Sequence, residues 1–147
     1  MSNFNHPYNT VGAFNRLIAE YQKYDTLYIG FDFDNTVWNY DKYKDNYANN
    51  QDAVNQDMLS VLKACKSVGM TLCLWTSSPD EKTTIYKAYL LEKWGIKPDY
   101  INESPLSPGA VKPHFTILLD DRAGLEQAVQ MVSKLVVMIS KGEITKK

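Results

Sequence analysis

Apolar residues recur along this chain in two rhythms that take turns. Val11, Phe14, Leu17, Ile18 and Tyr21 stand three or four apart, the spacing of one helix face, with Thr10 placed to cap it. Thr26 to Phe33 is a run of aromatic and branched residues and reads as a buried strand that ends in carboxylates. The helical spacing returns at Val54, Met58, Leu59, Leu62, Cys65 and Val68, predicting a helix over 52–68 that Gly69 stops. Met70 to Trp75 is a second strand. Pro79 and Asp80 open another helix, whose apolar residues include Ile85, Tyr89, Leu90 and Trp94 and which Gly95 ends. Tyr100-Ile101 is a short third strand. Glu103 to Pro113 holds three prolines and one glycine and is a loop. Phe115 to Leu119 is a further strand, running into Asp120-Asp121. Residues 134–140 taken alone fit strand or helix. Leu125, Ala128, Val129, Val132, Leu135, Val136 and Ile139 keep helical spacing throughout, which predicts one long helix.

Strands that alternate with helices predict an α/β fold with a mostly parallel sheet and helices on its faces. A length of 147 residues fits one domain, with a helix in residues 1–24 and a short flap or loop insert over 37–51. In such sheets, ligands bind beyond the carboxyl ends of the strands. Asp32 and Asp34, Thr76, and Asp120 and Asp121 all fall there.

Composition narrows the classes. Hydrophobic residues make up 44% of the chain, enough for a core, so disorder is excluded as the starting point. A formal net charge of −1 gives the whole chain no electrostatic case for nucleic-acid or membrane-surface binding, and leaves only a local basic patch open. Cys65 falls in a predicted helix and Cys73 in a predicted strand, without ligand-like spacing, and both read as reduced core thiols. No apolar run reaches the ~20 residues that span a membrane. Met1 to Asn9 lacks the apolar stretch of a secretory signal. A cytoplasmic location and no membrane partner are the expectation.

Asp32-Phe33-Asp34 places two carboxylates one residue apart, and a divalent cation would neutralise their repulsion. Hard oxygen ligands with no nearby His or Cys favour magnesium over zinc. Taken singly, each acidic pair reads more simply as a solvated turn or helix cap. Thr76 alone is a helix-start residue, and Lys112 alone a solvated charge. Their order along the chain makes them informative together.

The series DFDNT at 32–36, LWTSS at 74–78, KP at 112–113 and LLDDR at 118–122 resembles the four motifs of the haloacid dehalogenase-like hydrolase superfamily, in the right order over roughly 90 residues. The resemblance implies a Rossmann-like three-layer sandwich and aspartyl-phosphate chemistry. Asp32 is then the nucleophile, and Asp34 the group that protonates the leaving oxygen and next activates water. Thr76, with Ser77 beside it, and Lys112 bind the phosphoryl group. Asp32, Asp34, Asp120 and Asp121 make the magnesium site, with Asp121 in direct contact and Asp120 orienting Lys112 or a metal-bound water. A carboxylate can attack phosphorus to form an acyl phosphate, dividing one hard displacement into two easier ones. An acid at the position of Asp34 resembles a phosphatase rather than a dehalogenase or an ion pump. Asn35 departs from the glycine commonest in the first motif. The gap from Lys112 to Asp120 is short, and Lys97 is a rival for the phosphate-binding lysine.

Larger members carry a cap domain. Here 38–51 is too short for one, and 79–112 holds one helix and a loop, so the chain resembles a capless member with an open site. An open site suits a large substrate, such as a phosphorylated macromolecule or nucleic-acid end, or one closed off by a partner subunit. The expected partner is a phosphorylated small molecule or nucleic-acid end, with a homo-oligomer left open. Trp38, Tyr40, Tyr43 and Tyr47, interleaved with Lys42 and Lys44, either stack on bases or pack the loop onto the body. PHFTILLDDR at 113–122 is also similar to the phosphatase half of phage polynucleotide kinase-phosphatases, which remove 3′-phosphates. Arg122 is a candidate substrate contact. The expected function is a magnesium-dependent phosphomonoester hydrolase. A nucleic-acid-end or nucleotide phosphatase is the alternative within the class, and a non-catalytic binding protein of the same fold the alternative outside it.

Overall fold

The structure, a computed structural model, describes residues 10–47, 51–106 and 114–145. Among the described residues five helices, α1 (Thr10–Tyr24), α2 (Tyr40–Tyr43), α3 (Gln56–Ser67), α4 (Glu81–Lys93) and α5 (Leu125–Ser140), accompany four strands, β1 (Tyr28–Phe31), β2 (Thr71–Leu74), β3 (Tyr100–Ile101) and β4 (Ile117–Leu119). The strands form one all-parallel sheet in the order β3-β2-β1-β4. This is the expected α/β, Rossmann-like fold, a parallel sheet flanked by helices.

Register explains the core. Ile29 lies between Leu72 and Ile117, and Phe31 between Leu74 and Leu119. Because side chains alternate along a strand, these six share one face, and all are buried. Each contributes roughly 1.5–3 kcal/mol by leaving water. Helix α3 packs on β2 and α5, α5 packs on β4, and α1 packs on α5. The buried residues of these helices, such as Phe14, Leu17 and Tyr21 in α1 and Ala128, Val132, Leu135 and Val136 in α5, lie on the predicted faces. The segment 134–140 is helical, as its spacing predicts. On the other sheet face Gly30 is closely approached by the Phe115 ring, and a Cβ there would lie 2.5 Å from Phe115 Cδ2.

Two expectations need correction. Strand β1 is shorter than 26–33 because the chain turns at its end: the Phe33 carbonyl accepts N–H groups from Thr36, Val37 and Trp38. Helix α3 starts at Gln56 rather than near Asp52, because the Asn55 side chain accepts the Met58 N–H and caps it, while Gln51–Ala53 forms a separate 3-10 turn. In α4 the inward face is Thr84, Lys87, Leu90 and Leu91, while Ile85 and Tyr89 are exposed. Among the described residues no helix is long and apolar enough to cross a membrane.

Candidate active site

Each parallel strand releases its chain at the same sheet edge. Asp32 follows β1, Trp75 to Ser77 follow β2, Asn102 follows β3, and Asp120 to Arg122 follow β4. These segments line one cavity of about 660 Å³, together with Asp34, Asn35 and Tyr40. Of the residues singled out by sequence, Asp32, Asp34, Thr76, Ser77, Asp120, Asp121 and Arg122 all meet there.

Asp32, Asp120 and Asp121 form a cluster in which one carboxylate oxygen of each lies within 4.8 Å of the others. Asp32 Oδ1 accepts the Phe33 N–H at 2.8 Å, which fixes the carboxylate's rotation. Burial, with repulsion from Asp120, Asp34 and Asp121, raises the Asp32 pKa to about 6, against the lowering effect of that hydrogen bond. Asp121 is raised as well, by burial and by its contacts with Asp120. An all-oxygen set of three converging carboxylates fits a hard divalent cation such as magnesium, whose charge would relieve this repulsion. The cluster is held from both sides: Asp32 N–H donates to the Leu119 carbonyl at 3.0 Å, Asp121 N–H donates to Thr36 Oγ1 at 3.1 Å, and Arg122 N–H donates to Asp120 Oδ1 at 2.9 Å.

The Asp34 carboxylate stands outside that trio. Its Oδ2 accepts from Lys87 Nζ at 3.0 Å, and its Oδ1 from the Tyr47 hydroxyl at 3.4 Å. The Asn35 backbone takes the left-handed conformation at φ 62°, and its side chain bonds Asp41 on both sides. Asparagine tolerates that conformation better than most residues, so its replacement of glycine here is compatible with the turn.

Lys87 is the site residue that the sequence does not announce. Its side chain is 1% exposed, and its Nζ contacts Asp34 Oδ2, Thr76 Oγ1 at 3.1 Å and the Ser77 carbonyl at 3.3 Å, above the Phe33 ring. Helical spacing carries the available signal: Thr84, Lys87 and Leu91 fall on one face, which puts the lysine inward. Thr76 is fixed further by its N–H, which donates to Asn102 Oδ1 at 2.8 Å.

Lys112 lies outside the described residues. Its rival Lys97 is exposed and precedes β3, toward the amino end of the sheet and away from the cavity; its carbonyl accepts from Lys66. Of the loop aromatics, Trp38 and Tyr47 are buried. Trp38 stacks on Trp94 with ring centroids 6.2 Å apart and donates its indole N–H to the Lys44 carbonyl. These two rings pack the loop onto the body and do not offer faces to a base.

No protein-family model matches the chain, and no curated protein does. Its fold is similar to the solved structure of a conserved protein coded by a locus of Bacteroides thetaiotaomicron, with a TM-score of 0.54 and 17% identity over 80% of this chain and 92% of that one. At that identity the likeness is one of fold.

Proposed function

We propose that the protein is a magnesium-dependent phosphomonoester hydrolase that works through an aspartyl phosphate on Asp32. The observation that supports this best is the meeting of Asp32, Asp120 and Asp121 with Asp34 and Thr76 in one cavity at the carboxyl edge of a parallel sheet. In this reading Asp32 and Asp121 would hold the ion with the Asp34 carbonyl, and Asp120 would orient the group beside it. A bound magnesium ion would offset the negative charge of the carboxylates and of the phosphoryl oxygens.

The Asp32 carboxylate, its rotation set by the Phe33 N–H, attacks phosphorus. Asp34 gives a proton to the departing oxygen and later takes one from the water that opens the acyl phosphate. Thr76, Ser77, Arg122 and Lys112 hold the phosphoryl oxygens, whose dispersed charge makes such donors effective.

Phosphate release from an aryl phosphate, with magnesium and with chelator, tests the reading in the wild type and in Asp32→Asn. Turnover that requires magnesium and disappears in Asp32→Asn is expected. Undiminished turnover in Asp32→Asn sinks the covalent route, and a wild type inert toward a broad phosphate panel favours a binding protein of this fold. Comparing a 3′-phosphorylated oligonucleotide with nucleotides and sugar phosphates separates the substrate classes.

A further inference from the structure

A buried ammonium beside a phosphoryl site is at first sight a phosphate ligand, and the hydrogen bonds of Lys87 argue against that role. A lysine ammonium has three N–H donors and no acceptor. In Lys87 the three are matched one to one by Asp34 Oδ2, Thr76 Oγ1 and the Ser77 carbonyl, all within 3.3 Å. None is left over for a substrate oxygen.

The same count settles the polarity of Thr76. Because Lys87 can only donate, Thr76 Oγ1 accepts from it, and the threonine's own proton must go elsewhere. Among the described residues no acceptor takes that proton, and Thr76 lines the cavity that Asp32 faces. We propose that Lys87 is a positioning residue: it occupies a lone pair of Thr76 so that the hydroxyl presents its proton to the phosphoryl oxygen, and it holds the Asp34 carboxylate to one side of the Asp32–Asp120–Asp121 cluster. Without Lys87 the hydroxyl is free to donate to the Asp34 carboxylate and turns a lone pair toward the substrate, which repels a phosphoryl oxygen. Lys87 thus acts through Thr76 and Asp34 without touching the phosphate.

This inference rests on the phosphoryl-transfer reading, and a double-mutant cycle keeps the two apart. With magnesium and an aryl phosphate, Lys87→Met and Thr76→Val are each expected to lower kcat by about 100-fold or more, the usual cost of one lost oxyanion donor. The double variant should fall no more than about threefold below the weaker single, because both remove the same donor. Methionine fills the same space, and circular dichroism reports whether the fold is kept. Losses that multiply in the double variant, or a Lys87→Met kcat within about threefold of wild type, overturn the role of Lys87. A wild type without magnesium-dependent turnover overturns the reading of the site, and this inference with it. Should Lys87→Met not fold, a wild-type structure with magnesium and vanadate decides: Thr76 Oγ1 on a vanadate oxygen with Lys87 Nζ still on Asp34 is expected, and Lys87 Nζ on vanadate overturns the proposal.

Discussion

Thr36 Oγ1 accepts the N–H of Asp121 at 3.1 Å, so the turn after β1 and the turn after β4 hold each other in place. Thr36 is 1% exposed, and the two residues are 85 positions apart in the chain. The bond sets the distance between the Asp32 and Asp121 carboxylates from the backbone side. Thr36→Val keeps the shape and leaves the Asp121 N–H without its acceptor, at a cost of about 1–3 kcal/mol. Denaturant unfolding should show that loss, and a magnesium titration should show weaker binding, with Thr36→Ser close to wild type in both. Wild-type magnesium affinity in Thr36→Val would mean that the bond does not shape the cluster.

Asp32 holds its proton more tightly in the fold than in the unfolded chain, because burial raises its pKa from the ordinary 3.8 to about 6. The metal-free fold therefore has this contribution in full below the unfolded value and loses it as pH rises through about 6. In chelator, Asp32→Asn should raise the thermal midpoint near pH 7.5 and change it little near pH 4, where wild-type Asp32 is already neutral. A magnesium ion held as proposed would compete with that proton, so its stabilisation of the wild type should fade as pH drops below about 6. Melting curves over this range, with and without magnesium, check both. A pH-independent effect of Asp32→Asn would contradict the assigned shift.

Most of the fold is legible because it follows from apolar spacing: α3, α5 and the four strands lie where the pattern puts them, give or take a turn. The carboxylates are legible for a different reason. They sit where apolar strands stop, and a parallel sheet brings all such ends to one edge. Lys87 is not legible, because a lysine taken alone reads as a solvated charge, and only the three partners supplied by the segments that follow β1 and β2 make its burial tolerable. Apolar content alone does not orient α4: Ile85 and Tyr89 are exposed, while Lys87 turns inward to meet Thr76 and Asp34.

The two cysteines give a test of packing. Cys65 and Cys73 are both buried and free, and burial, joined at Cys73 by the charge of Asp99, raises each thiol to about 12. The thiolate is the reactive form, so neither should react with an aromatic disulfide reagent near pH 8 in the native protein. Both should react promptly in denaturant. Fast labelling of either in the native state would show that its strand or helix opens locally.

Gly30 tests how closely the second sheet face is packed. A Cβ at this position would stand 2.5 Å and 2.6 Å from Cδ2 and Cγ of Phe115, closer than carbon atoms approach. Backbone pairing with β2 and β4 fixes Gly30, so Phe115 must give way. Phe115 meets Trp75 edge to face at 5.5 Å, and Trp75 lines the cavity beside Thr76. Gly30→Ala should therefore cost about 1–3 kcal/mol by overpacking. The displacement should also pass through Trp75 to the cavity, lowering turnover more than the lost stability explains. Pairing it with Phe115→Ala removes Cγ and Cδ2, the atoms in the way, so the double variant should be more stable than the sum of the singles predicts. Additive losses in denaturant unfolding would place Phe115 elsewhere in solution and break the link from this face of the sheet to the site.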